Sequence, residues 1–188
     1  MNESADLLSA VQAVVGAFER HDIRYFVTGS FASSVHGEFR ATNDLDIVAD
    51  LDASQLALLF DDLSRDFVAD LDQALSALVS GSSFNLIHRV AYLKVDVFPC
   101  MSAFDAGAIR RAESIEMPAD VGSIRVATKE DILLAKLRWY RLGGETSETQ
   151  RRDIQRLVAL NRGEFDENYL RRWSVQLEVD DLLEHFLG

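Results

Sequence analysis

Apolar positions in the first twenty residues recur at helical spacing. Leu7, Leu8, Val11, Val14, Val15 and Phe18 fall on one stripe, which predicts an amphipathic helix ended by His21-Asp22. The run from Arg24 to Thr28 reads as a short buried strand. Gly29-Ser30 then opens a second helix reaching about Val35, with Gly37 as its stop. Asp44 to Asp50 reads as a second strand. Asp52 or Ser54 can cap a third helix carrying Leu56, Leu59, Phe60 and Leu63 at i, i+3, i+4, i+7 spacing, and a fourth is expected across Asp70 to Val79, closed by Gly81. Two strands follow at about 83–88 and 90–98, then a hairpin-like pair at 114–117 and 123–126 joined through Pro118 and Gly122. From Thr128 the pattern is helical. Thr128-Lys129-Glu130-Asp131 has capping-box form ahead of Ile132 to Arg141, Gly143-Gly144 begins a loop, and further helices are expected near 151–160, 167–173 and 179–186. The order predicts an α/β fold, a mixed sheet followed by a helical tail.

Composition narrows the class. At 188 residues and 48% hydrophobic content the chain suits one sizeable domain, or one domain with a helical extension. No apolar run approaches the ~20 residues of a membrane span, and Met1-Asn2-Glu3-Ser4 does not read as a signal peptide. The single Cys100 excludes an intramolecular disulfide and a cysteine-based zinc site. It follows Pro99 at the end of an apolar run, so a buried structural thiol is expected, and a cytoplasmic location fits these features. The net charge of −12 argues against a general affinity for duplex nucleic acid. The balance is uneven, however. Residues 1–100 carry 15 acidic and 6 basic residues, whereas residues 125–156 carry 8 basic and 5 acidic. An acidic half followed by a locally basic segment suits a bound metal–triphosphate; for most of these charges, solvated helix faces are explanation enough.

Candidate chemistry concentrates between Gly29 and Asp46. In a strand, residues i and i+2 share a face, so Asp44 and Asp46 project side by side while Leu45 and Ile47 turn toward a core. Adjacent like charges raise each other's pKa, and a cation between them removes the repulsion. The other aspartate pairs, Asp50/Asp52 and Asp70/Asp72, lie at turns or helix starts, where capping explains them. A third carboxylate comes from the run Val90 to Phe98, in which Lys94 and Asp96 share one face and Leu93, Val95 and Val97 the other. A Lys–Asp surface pair would explain that pattern too. If the two strands are neighbours, three carboxylates converge, enough to hold two magnesium ions about 3.5–4 Å apart for an in-line phosphoryl or nucleotidyl transfer. Gly29-Ser30 adds a turn that lets the backbone approach a phosphate at a helix N-terminus.

Taken together, the Gly-Ser turn, Arg40-x-Thr42-x-Asp44-x-Asp46 and Lys94-x-Asp96 resemble the minimal nucleotidyltransferase (DNA polymerase β-like) superfamily. The segment from Ala127 to Leu137, followed by Arg151-Arg152-Asp153-Ile154, looks more specifically like the AbiEii-type branch, many of whose members are toxins of toxin–antitoxin pairs. The turn is Gly-Ser where that branch more often has Gly-Gly. The resemblance covers roughly residues 23–160. It implies a nucleotidyltransferase fold, with a small mixed β-sheet flanked by helices over 1–127 and a helical C-terminal region over 128–188. It also implies an enzyme that transfers NMP from an NTP such as ATP to an acceptor hydroxyl with two Mg²⁺ ions. Asp44 and Asp46 would bind both metals, and Asp96 would complete one site and orient or deprotonate the acceptor. Gly29 and Ser30 would contact the triphosphate, Arg40, Lys94 and Lys136 would be phosphate or nucleotide contacts, and Asp153 a supporting partner. The acceptor would be tRNA or another hydroxyl-bearing molecule, and a protein antitoxin is a possible partner. Two alternatives stand beside this reading: a non-catalytic nucleotide-binding or antitoxin-like protein on the same fold, and an adenylyltransferase acting on a small molecule such as an aminoglycoside. His36 reads first as a helix-end or packing residue. Of Trp139 and Tyr140, either could stack on a base, with at least one expected in the core.

Overall fold

A computed structural model describes residues 3–36, 43–117 and 122–188. The opening stripe forms α1 (Glu3–Arg20), which buries Val11, Val14, Val15 and Phe18. Strand β1 (Arg24–Thr28) leads into α2 (Gly29–Val35), and β2 (Asp44–Asp50) follows. Helix α3 (Ala53–Leu63) begins at Asp52, whose carboxylate accepts from the Ser54 and Gln55 N–H groups while Gln55 bonds back to the Asp52 N–H. Helix α4 (Leu71–Ser80) is capped by Asp70 and ends at Gly81 in the left-handed conformation, φ 71°. These two caps account for Asp52 and Asp70. Asp50 forms an ion pair with Arg24.

The remaining strands are β3 (Phe67–Val68), β4 (Phe84–His88), β5 (Lys94–Pro99), β6 (Glu113–Met117) and β7 (Gly122–Val126). Together they make one mixed sheet in the order β3-β4-β5-β2-β1-β7-β6. Strands β1 and β2 are antiparallel, whereas β2 pairs with β5, and β1 with β7, in parallel. The sequence pattern misses β3 and starts β5 four residues early. The positive φ of 53° at Tyr92 turns the chain there, so the alternation of Val90 to Leu93 belongs to the β4–β5 connection. Helix α5 (Ala103–Arg111) also escapes the periodicity, because its two large apolar side chains, Phe104 and Ile109, stand five residues apart and miss the i, i+3, i+4 spacing. Its start was nevertheless encoded: Ser102 and Asp105 form a reciprocal capping box. Arg40, Gly37 and Pro118 lie outside the described residues.

Side chains on one face of the sheet, among them Tyr25, Val27, Leu45, Ile47, Val95 and Val97, are buried in the core, and Tyr25 meets Phe18 of α1 at 5.4 Å between ring centroids. The opposite face is covered in part by α5 and by α6 (Lys129–Leu142), which brings Trp139 edge-on to Phe98. After α6 come α7 (Glu148–Leu160), α8 (Glu167–Gln176) and α9 (Asp180–Leu187). Apolar residues of both the sheet and these helices belong to one core cluster, which Cys100 joins only as a half-buried residue. The thiol expected in the core thus sits at its margin, still buried enough to push its pKa up. Among the described residues no helix is long and apolar enough to cross a membrane.

A buried polar knot ties the last helices to the core. Thr128 caps α6, but the Asp131 carboxylate accepts from the Thr128 hydroxyl at 2.8 Å and from Tyr169 Oη at 2.6 Å. Arg111 bonds Glu130 at 3.2 Å, stands 3.5 Å from Asp131 and stacks 3.8 Å above the Tyr169 ring. Glu130 also accepts from the Asp166 N–H. Buried carboxylates persist only when paired in this way. Burial pushes the Asp131 pKa up, opposed by its bonds to Tyr169 and Thr128.

Candidate active site

The parallel pairing of β2 and β5 sets the site. It places Asp44 opposite Lys94, Asp46 opposite Asp96, and Val48 opposite Phe98. Antiparallel neighbours extend the middle row: Thr28 of β1 lies against Asp46, and Asn85 of β4 against Asp96. Paired residues share a face, so one row across four strands reads Thr28, Asp46, Asp96, Asn85. The next row reads Phe26, Val48, Phe98. A polar row therefore adjoins an apolar one on the face opposite the core.

Each carboxylate has a distinct environment. Asp44 is exposed, while Asp46 and Asp96 are half-buried. Burial, followed by the charges of Asp96 and Asp44, pushes the Asp46 pKa up to about 6; Lys94 and Lys136 pull it down. Asp96 accepts a 2.7 Å bond from Lys94 Nζ and a second from Asn85 Nδ2. The Asp96 bond in turn raises the Lys94 pKa. Asn85 escapes a reading based on charge and turn residues. Its signal was a polar side chain between Phe84 and Leu86 in an otherwise apolar strand.

Gly29 begins α2 with φ 68°, and a Cβ there would stand 1.9 Å from Asp46 Oδ2. The turn must be glycine for two independent reasons: the left-handed backbone and the space the carboxylate fills. Ser33 and Ser34 bond back to carbonyls within α2. His36, at the helix end, is hydrogen-bonded through Nε2 to the Ala127 carbonyl at 2.9 Å, which is the packing role expected of it.

A cleft of about 550 Å³ opens along this face, lined by Thr28, Gly29, Asp46, Phe98, Lys136 and Trp139 among others. Its size falls in the range of small-molecule sites. Lys136 forms an ion pair with Asp153 at 3.4 Å, the partner anticipated from sequence. Trp139 is 54% exposed at the cleft, whereas Tyr140 is buried against Phe186. Among the described residues no three His, Cys, Asp or Glu side chains are grouped closely enough to hold a metal ion by themselves. Magnesium, however, is commonly held by one or two carboxylates plus substrate phosphates. The oxygen donors of Asp46 and Asp96, with the charge of Asp44 acting on Asp46, fit that kind of site.

No family model matches the chain, and no curated protein matches its sequence. Solved structures do. An antigenic nucleotidyltransferase-like protein from Paracoccidioides brasiliensis superposes with a TM-score of 0.53 at 16% identity, covering 94% of each chain. The solution structure of the antibiotic-resistance factor ANT(2'')-Ia gives a TM-score of 0.58 at 13% identity, over 98% of this chain and 99% of that one. The crystal structure of ANT(2'')-Ia in complex with adenylyl-2''-tobramycin gives 0.57 at 13% identity, over 91% and 96%. At such identities the likeness speaks for architecture. The chain has the nucleotidyltransferase fold: a mixed sheet flanked by helices and followed by a helical C-terminal region.

Proposed function

We propose that the protein is a nucleotidyltransferase that moves NMP from an NTP to an acceptor hydroxyl. The observation carrying this reading is the register that sets Asp46 beside Asp96 while Asp46 fills the space left by Gly29. Two Mg²⁺ ions, held by Asp44, Asp46 and Asp96 together with substrate phosphates, would supply charge neutralisation at the α-phosphate. Gly29 and Ser30, at the start of α2, offer N–H groups without helical partners to triphosphate oxygens. Lys94 and Lys136 add positive charge for the same phosphates. The acceptor oxygen attacks the α-phosphorus. The bond from that phosphorus to the oxygen bridging to the β-phosphate breaks, its electron pair stays on the departing pyrophosphate, and the acceptor's proton passes to an Asp96 carboxylate oxygen. Lys94 and Asn85 hold that carboxylate in a fixed orientation.

A small acceptor is favoured over RNA by the state of the basic segment. Lys129 pairs with Glu164, Lys136 with Asp153, Arg141 with Glu145 and Asp181, and Arg151 with Glu148. Apart from Lys136, which the triphosphate would engage, three of the 8 cations in residues 125–156 thus already have acidic partners, which weakens the footprint a polyanionic acceptor needs. A cationic, hydroxyl-rich acceptor of the aminoglycoside type suits a net charge of −12. The likeness to the AbiEii branch, with its toxin role and antitoxin partner, rests on the sequence motifs alone.

Incubation with labelled NTPs, Mg²⁺ and acceptors including aminoglycosides and tRNA tests the reading. Label transfer with release of pyrophosphate is expected, and transfer that persists unchanged in Asp46→Ala would sink the proposed site. Calorimetric titration with Mg-NTP tests the alternative of a non-catalytic module: binding without transfer to any acceptor would favour it.

A further inference from the structure

We infer that Trp139 and Phe98 form the surface on which the nucleobase of the NTP stacks, so that the ring area of the base contributes to which nucleotide binds. This rests on the nucleotidyltransferase reading and adds how the base is held.

Trp139 sits at a concave cleft with 54% of its surface exposed, and its ring stands edge-on to Phe98 at 6.2 Å and 60°. The edge contact orients the indole while leaving surface for a planar ligand. The apolar wall continues through Phe26, Val48, Met101 and Leu142.

Spacing favours the base of a nucleotide as the occupant. Val48 and Phe98 lie one same-face step beyond Asp46 and Asp96, about 6.5–7 Å along the strands. On α6, Trp139 follows Lys136 by three residues on the same side of the helix, with a rise of about 4.5 Å. Lys136 and Asp46 line the same cleft. A nucleotide whose α-phosphate lies at Asp46 has only a ribose between that phosphate and its base. The ribose spans the step from the carboxylate row to the aromatic one.

Stacking on the aromatic pair is a contact open to every base. The Asp105 carboxylate is held by the α5 capping box through Oδ2, which accepts from the Met101 N–H at 3.3 Å, the Ser102 N–H at 3.0 Å and the Ser102 hydroxyl at 2.7 Å. Arg138 is exposed, and a guanidinium donates to acceptors that every base carries. Stacking serves all bases, because each has a π-face, and favours the larger purines.

Calorimetry of the full chain with Mg²⁺ and three ligands (ATP, UTP and inorganic tripolyphosphate) tests this in wild type, Trp139→Ala and Trp139→Phe. The expected order for wild type is ATP tighter than UTP, and UTP tighter than tripolyphosphate. Trp139→Ala should weaken ATP by roughly 5- to 150-fold while leaving tripolyphosphate unchanged, and Trp139→Phe should restore most of the loss. In a Trp173→Phe background the emission of Trp139 should respond to ATP and not to tripolyphosphate. ATP affinity that is the same in wild type and Trp139→Ala would overturn the stacking surface while leaving the nucleotidyltransferase reading standing. Failure of both ATP and tripolyphosphate to bind wild type would overturn that reading, and the stacking surface with it.

Discussion

A Cβ added at Gly29 would stand 1.9 Å from Asp46 Oδ2, so the carboxylate occupies the space that any other residue's side chain would need. The turn and the strand that follows it are thereby locked together: the first residue of α2 and the central carboxylate of β2 fit only as a pair. Gly29→Ala should lose nucleotide binding and transfer even if it folds. The left-handed backbone alone, φ 68°, costs about 1 to 3 kcal/mol for a non-glycine residue. A lower melting temperature together with lost Mg-NTP affinity is expected, and wild-type affinity in Gly29→Ala would refute the tight fit.

Asp46 makes stability fall with rising pH. Its pKa, raised to about 6 in the fold by burial and neighbouring carboxylates, lies above that of the unfolded chain, so the native state binds the proton more tightly. The resulting stabilisation is fully present below the unfolded value of 3.8 and is lost as pH rises through about 6. Metal-free Asp46→Asn should therefore be more stable than wild type at pH 7.5, by about 2 to 3 kcal/mol, and equal to it near pH 3.5. Urea titrations of both proteins across pH 3.5–8 measure the difference. Binding of Mg-NTP to wild type should also weaken below about pH 6, where the carboxylate must first give up its proton.

Asn85 holds Asp96 from the neighbouring strand. If Asp96 receives the acceptor's proton, its orientation governs the rate. Asn85→Ala should lower kcat by roughly 10- to 100-fold, the scale typical of groups that orient a functional ligand, while leaving the fold intact. Circular dichroism and a turnover assay on the same preparation would separate the two effects.

Tyr169 supplies the buried Asp131 with a 2.6 Å hydrogen bond. Tyr169→Phe removes the donor and keeps the ring that Arg111 stacks on. A loss of about 1 to 3 kcal/mol is expected, because a buried carboxylate is left with one partner fewer. Chemical denaturation at pH 7 checks it, and an unchanged midpoint would show that the Thr128 hydroxyl and Arg111 suffice for Asp131.

Local chemistry determined most of the elements. The stripe from Leu7 to Phe18, the caps at Asp52, Asp70 and Thr128, the left-handed Gly81 and the alternation of Asp44 to Asp50 each act over a few residues, and each formed the element it predicts. The same locality made Gly29-Ser30, Asp44, Asp46 and Asp96 legible as a candidate site, because strand alternation says which side chains share a face. It could not say which strands are neighbours. Only the tertiary fold decided that β5 runs parallel to β2 with Asp96 level with Asp46, that Asn85 stands beyond it, and that α6 crosses so that Trp139 reaches Phe98. Asp46 and Asp96 are 50 positions apart in the chain, Phe98 and Trp139 41, and Asn85 and Asp96 11. Those contacts depend on how the whole apolar surface is buried at once, and no short window of sequence contains that information.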